Sequence, residues 1–112
     1  MATIEQCTQA LEGILGDLAA SPAAKGMDRT LSCRLTDLGQ TVRGRLAEGE
    51  IKDVQVVADD AEVEPANIRL TMSSDDLIAM TDGDLEFAKA WASGRVKLEA
   101  SLKDMFKLRS ML

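Results

Sequence analysis

Apolar residues recur at three- and four-residue steps through the first segment of the chain, at Ile4, Cys7, Leu11, Ile14, Leu15 and Leu18. That spacing predicts one stripe of an amphipathic helix within residues 1–20. Thr3 is the expected N-cap, with Gln6 standing where a capping box usually carries Glu. Ser21-Pro22 ends the helix, because a residue before proline is pushed out of the helical region. The stripe spans too few heptads for a coiled coil and is read as a core-facing surface.

The period then shortens to two. Leu31, Cys33 and Leu35 alternate with Ser32, Arg34 and Thr36; Val42, Gly44 and Leu46 alternate with Arg43 and Arg45; Val54, Val56 and Ala58 alternate with Gln55 and Val57. Each run reads as a strand with one wet face. The links Asp37-Leu38-Gly39-Gln40 and Ala47-Glu48-Gly49-Glu50 are short and contain glycine, so a three-stranded antiparallel meander is expected over residues 30–58. Gly44, inside a strand, marks a bulge or a close approach.

An acidic loop, Asp59-Asp60-Ala61-Glu62-Val63-Glu64-Pro65, leads to a fourth alternating run at Ile68, Leu70 and Met72. Ser73 or Ser74 caps a short helix from Asp75 to Thr81, whose acidic first turn suits the helix dipole and which Gly83 ends. A second short helix carries Phe87 and Trp91 one turn apart and stops at Gly94. Val96, Leu98 and Ala100 alternate as a fifth strand. Leu102, Met105, Phe106 and Leu112 form the expected inner stripe of a last helix, with Lys103, Lys107 and Arg109 outside. The predicted class is α+β: a five-stranded, largely antiparallel sheet with helices packed on one face. The whole of residues 1–112 makes one domain, divided into the leading helix (1–20), the meander (30–58) and a strand–helices–strand–helix part (66–112).

Composition narrows the chemistry. A chain of 112 residues, 46% hydrophobic and 29% charged, carries one modest core and is not disordered. Its net charge of −6 sets it against nucleic acid and anionic membrane surfaces. There is no His, so the usual general base near pH 7 and the commonest metal ligand are both missing. Cys7 and Cys33 form no CxxC motif and no zinc set; they read as small buried apolar residues of a reducing compartment, although their spacing alone leaves a disulfide open. The first residues lack the basic start and apolar run of a signal peptide, and no stretch reaches the roughly 20 apolar residues of a transmembrane helix. A soluble, cytoplasmic protein without stable membrane insertion is expected. The clusters Asp75-Asp76 and Asp82-Gly83-Asp84-Leu85-Glu86 lack calcium-loop spacing, and Gly39, Gly44, Gly49 and Gly94 make no phosphate loop.

From Asn67 the pattern becomes specific. Asn67-Ile68-Arg69-Leu70-Thr71-Met72-Ser73 runs into Ser74-Asp75-Asp76-Leu77-Ile78-Ala79-Met80-Thr81-Asp82-Gly83, and later Ala90-Trp91-Ala92-Ser93-Gly94-Arg95-Val96-Lys97-Leu98 follows. This resembles the sterol carrier protein type two family, whose second half runs strand, serine-acidic helix, Gly, helix, an SGK or SGR turn, strand and final helix. Two turns depart from that pattern: Ala100-Ser101 stands where the family often has Gly-Asp, and Leu85-Glu86 where it often has Asp-Pro. The ending Ser110-Met111-Leu112 lacks the basic middle residue of a Ser-Lys-Leu peroxisomal address.

The resemblance implies non-catalytic binding or transfer of a sterol, fatty acyl chain or similar lipid in an apolar tunnel between the sheet and the C-terminal helices. Candidate lining residues are Leu70, Met72, Leu77, Met80 and Phe87, then Trp91, Leu98, Met105 and Phe106, with Met111 beyond them. Methionine suits such a wall because it adapts to varied apolar shapes. The same stripes would serve equally as plain core. No catalytic residue, metal site or cofactor is expected, and no basic pocket signature favours a phosphate-bearing head group. The alternative is an interaction module that uses the same apolar groove to dock a partner protein or form a homodimer.

Overall fold

The computed structural model describes residues 2–20, 22, 26–58 and 64–111, with side chains as far as residue 106. Nine elements follow in order: α1 (Ile4–Ala19), β1 (Asp28–Leu35), β2 (Gln40–Ala47), β3 (Glu50–Ala58), β4 (Ile68–Met72), α2 (Ser74–Thr81), α3 (Phe87–Ala92), β5 (Lys97–Glu99) and α4 (Leu102–Met111). The five strands form one sheet in the order β3-β2-β1-β4-β5. β1 pairs antiparallel with β2, and β2 with β3, so the meander stands as expected. β4 returns on the far side of β1 and runs parallel to it, with Cys33 level with Leu70 and Leu35 with Met72. β5 closes that edge antiparallel to β4. The class is α+β, and the sheet is antiparallel but for this one pair.

Local chemistry sets the helix ends. The Thr3 hydroxyl accepts from the Gln6 amide at 3.1 Å, while the Gln6 side chain accepts from the Thr3 amide at 2.9 Å, a reciprocal cap. The proline stop of α1 falls partly on Ser21, which lies outside the described residues, as do residues 59–63 of the acidic loop and Leu112. Ser73 caps α2 through the Asp76 amide. Ser74 is fully buried and acts differently. Its amide and hydroxyl both donate to Asp37, at 2.9 and 2.5 Å, tying the β1–β2 turn to the start of α2. Gly83 and Gly94 end α2 and α3 with φ of 82° and 83°, the left-handed position that side chains resist.

The inward alternation buries Leu31, Cys33 and Leu35 of β1 with Val42 and Leu46 of β2, each at 6% exposure or less. Cys7, Ala10 and Leu11 of α1 press on Cys33, Leu35 and Val42 from above, joined by Leu77 of α2 and Ala90 of α3. A second cluster at the other end gathers Ala19, Met27, Leu31, Leu46, Ile68 and Leu98.

One expectation is corrected on α4. Leu102 and Phe106, assigned to its inner stripe, are 75% and 67% exposed, while Asp104 is buried at 6%. Both carboxylate oxygens of Asp104 accept from Nε of Arg29 at 3.1 Å, and the Ser101 hydroxyl accepts from the Asp104 amide. Positions 102 and 106 each lie two residues from 104, about 200° around the helix, so seating Asp104 on the sheet turns both outward. The side chains of Lys107, Arg109 and Met111 lie outside the described residues.

Two outcomes follow from these ties. Asp104→Ala removes the buried side of an ion pair whose Arg29 partner is about one-third exposed, and should lower stability by about 1–2 kcal/mol. The check is urea unfolding, with amide exchange faster in α4 than in α1. The second concerns pH: the bonds from Ser74 hold the Asp37 carboxyl below the usual carboxylate range. Stability from this lowered pKa is present above the ordinary value near 4 and is lost as pH falls through the lowered one. The destabilisation caused by Ser74→Ala should therefore be larger at pH 6 than at pH 2.5, measured as the shift in urea midpoint.

Candidate apolar ligand site

β2 and β3 fall out of register between Arg43 and Arg45, so Gly44 faces a bulge in β3. The bulge carries Asp53 at φ 56°, a left-handed conformation that Asp tolerates better than most side chains. Gly44 points inward, between Val42 and Leu46, yet offers no side chain. A Cβ placed on it would sit 3.6 Å from Ile51 Cγ2, 3.7 Å from Val54 Cγ2 and 3.7 Å from the Lys52 carbonyl oxygen, all ordinary contacts. The missing side chain leaves a cleft between the sheet and α1.

Leu11 and Leu15 of α1 form its roof, Leu31, Cys33 and Val42 its floor, and Ile51 and Val54 its outer wall. Leu70 of β4 reaches it from the other side, and Glu12 stands exposed at the rim. The space open to the centre of a water molecule is about 20 Å³, room for roughly one water. Its surface is hydrocarbon almost throughout, so it suits an apolar group.

The nine candidate residues separate in space. Met72 (2% exposed) and Leu77 (0%) belong to the cluster centred on Cys33 and Leu35, with Met80 packed against it. Leu98 (8%) belongs to the second cluster, with Trp91 and Met105 against it. Phe87 and Leu70 touch both clusters. The Phe87 and Trp91 rings stand 6.1 Å apart, tilted by 48°. Phe106 faces solvent, for the reason given for α4. Of the nine, Leu70 alone borders the cleft. Leu11, Leu15, Ile51 and Val54 were not among the candidates; the signal that locates them is a glycine at an inward strand position beneath a helix.

Reactive chemistry is sparse here. Cys33 faces the cleft region with its thiol pushed up to about 12 by burial, nearby Cys7 adding to the effect. Cys7 is also raised, first by burial and then by the charges of Asp37 and Asp75. Both thiols are free and buried. Among the described residues no three Cys, Asp or Glu side chains gather as a metal site, and no helix is long and apolar enough to cross a membrane.

Comparison with known proteins adds a family. Residues 8–112 match the model of the SCP-2 sterol transfer family. No curated protein matches the chain. Among solved structures, sterol carrier protein 2 like 2 from Aedes aegypti superposes with a TM-score of 0.65 at 15% identity, covering 98% of this chain and 100% of that one. The palmitated form from the same organism gives 0.61 at 15% identity, over 96% and 91% of the two chains. The inverting sec-alkylsulfatase Pisa1 from Pseudomonas sp. gives 0.60 at 24% identity over 86% of this chain, which spans only 13% of the sulfatase. Likeness at these identities is likeness of fold.

Burial of both thiols has a measurable consequence. At pH 8 a thiol with a pKa near 12 is ionised about one time in ten thousand, against roughly a quarter for an unfolded cysteine. Cys33 should react with a disulfide reagent at least tenfold more slowly in the folded chain than in guanidinium, followed by thiol release.

Proposed function

The chain belongs to the SCP-2 sterol transfer family, and on that footing we propose that it binds and transfers a small hydrophobic ligand, a sterol or a fatty acyl chain, without catalysing a reaction on it. The observation that carries this reading is the hydrocarbon-lined cleft beneath α1, opened by Gly44 and the β3 bulge. A relative of the same fold is described as palmitated, which supports a fatty acyl chain as the first ligand to try. The free thiols Cys7 and Cys33 fit a reducing compartment, and we place the protein in the cytoplasm.

A cleft of about 20 Å³ does not hold such a ligand closed, since ligand pockets run to roughly 300 Å³ and more. Binding therefore proceeds by α1 lifting from the sheet. The N-terminal end of α1 is held by its cap and by the Ala2 amide, which donates to Asp75 of α2 at 3.2 Å. Its second half, with Leu15 over the cleft, is the part that swings. Each methylene buried contributes about 0.8 kcal/mol, so ten to twelve give about 8–10 kcal/mol before the costs of ordering. That gross figure corresponds to a Kd between about 1 µM and 50 nM, and the costs of ordering and of lifting α1 bring the net affinity to the micromolar range or weaker.

Palmitate titrated into the protein, followed by Trp91 fluorescence and by thermal unfolding, tests the reading. The expected result is saturable 1:1 binding and a raised Tm. Gly44→Leu fills the cleft and should weaken binding at least tenfold, whereas Gly44→Ala, whose methyl makes only ordinary contacts, should leave the fold intact. Absence of any stabilisation by a fatty acid and sterol panel, with native mass spectra free of lipid-sized adducts, would overturn the proposal.

A further inference from the structure

The face of the sheet turned away from α1 has a chemistry of its own. Strand register places its side chains in rows. One row crosses the sheet as Gln55, Arg43, Ser32, Arg69 and Glu99; the next, two residues along, as Val57, Thr41, Arg34, Thr71 and Lys97. Two arginines therefore flank Ser32 directly, and a third stands in the adjoining row. Directly opposed residues on a sheet lie about 5 Å apart at Cβ, so Arg43 and Arg69 stand about 10 Å apart, one on each side of the spot above Ser32.

That spot is a groove of about 270 Å³, lined by Ser32, Arg34, Arg43, Arg69 and Thr71 and bounded by Val57 and Ala58 on one side and Glu64, Pro65 and Ala66 on the other. Two of its donors have capacity to spare. Nε of Arg69 is buried with no hydrogen-bond partner among the described residues, and a buried donor left unpaired is costly. The Arg69 guanidinium meets Glu99 only at 3.7 Å, through a different nitrogen. Arg43 is half-buried and makes no ion pair among the described residues.

We propose that this groove is a binding site for the phosphate group of a small soluble phosphomonoester, with Arg43 and Arg69 gripping the phosphate oxygens over Ser32. The chemistry selects the ligand class. One guanidinium fork satisfies a carboxylate. A phosphomonoester carries three terminal oxygens and about −1.5 to −2 charge near neutral pH, and so uses more than one fork. The hydroxyls of Ser32 and Thr71 supply further donors. A soluble ligand is favoured over a bilayer because Glu64 and Glu99 border the groove and the chain as a whole carries −6. The sequence shows no basic run because the three arginines come from three strands, and only their pairing assembles the site.

The test is calorimetric titration of the full chain at low salt with phenyl phosphate, acetate, and phosphatidic acid vesicles. Saturable 1:1 binding of phenyl phosphate, at least tenfold tighter than acetate, is expected. Arg43→Gln/Arg69→Gln should weaken it at least tenfold, and Arg69→Gln alone, at a residue that does not border the apolar cleft, should weaken it severalfold while leaving palmitate binding unchanged. Arg43→Lys/Arg69→Lys, which keeps the charges without the forks, should fall between, and it decides the matter if the glutamine variant folds poorly. No saturable phenyl phosphate binding, equal affinity in the variants, or binding confined to phosphatidic acid vesicles would each overturn the proposal. So would loss of phenyl phosphate binding in a Gly44→Leu variant that still unfolds cooperatively, which would place the anion on the other face; retention there separates this site from the apolar cleft.

Discussion

β1 is paired along both edges, antiparallel to β2 and parallel to β4, and this double pairing constrains everything around it. A strand locked on both sides has no freedom to slip, and a one-residue slip would exchange its faces. Leu31, Cys33 and Leu35 are thereby committed to one side and Ser32 and Arg34 to the other. Each neighbour inherits that sidedness through its register. Ile68, Leu70 and Met72 of β4 line up with Leu31, Cys33 and Leu35 of β1, and Val42 of β2 with Cys33, while Arg43 and Arg69 line up with Ser32. Asp37, in the turn that leaves β1, then fixes where α2 begins by accepting both bonds from Ser74.

The two faces follow different physics. On the inner face the strands are covered by α1 and the later helices, and the only way to make room is to omit a side chain, as Gly44 does opposite the bulge. On the outer face long cationic side chains are brought together without burial deep enough to neutralise them, since arginine stays charged in proteins. Even the helices share in this division. α4 is seated by the ion pair of Arg29 with Asp104 rather than by its bulkiest apolar residues, leaving Leu102 and Phe106 on the surface.

Local patterns carried most of the architecture in advance. Alternation in β1 and β2, the Thr3 and Ser73 caps, and the glycines closing α2 and α3 are all effects of near neighbours, and the residues that cause them stand side by side in the chain. What needed coordinates depends on distant partners. The parallel return of β4 beside β1 leaves no local trace. The orientation of α4 turns on Asp104 meeting a residue 75 positions away. Met72 and Leu77 carry the hydropathy of a wall and of a core alike, and which they become is decided by whether neighbours fill the space. The cleft was half legible, because Gly44 stood out inside its strand, but the residues around it come from α1, β1, β2, β3 and β4.

The small size of that cleft bears on how the proposed ligand would be taken up. An apolar void destabilises its surroundings by about 24 cal/mol per Å³. A permanently open pocket of about 300 Å³, the lower bound for a ligand site, would then cost about 7 kcal/mol. The whole stability of such a domain is about 5–15 kcal/mol. On the proposed function, a domain of this size would keep its interior closed when empty and open it only against the apolar surface of a ligand. On that reading Gly44 and the bulge would be the weak place where opening starts, and the capped, tethered N-terminal end of α1 would be the hinge. The lipid affinity expected from the proposed function is then the gross burial less the work of lifting α1, which favours ready release as much as capture.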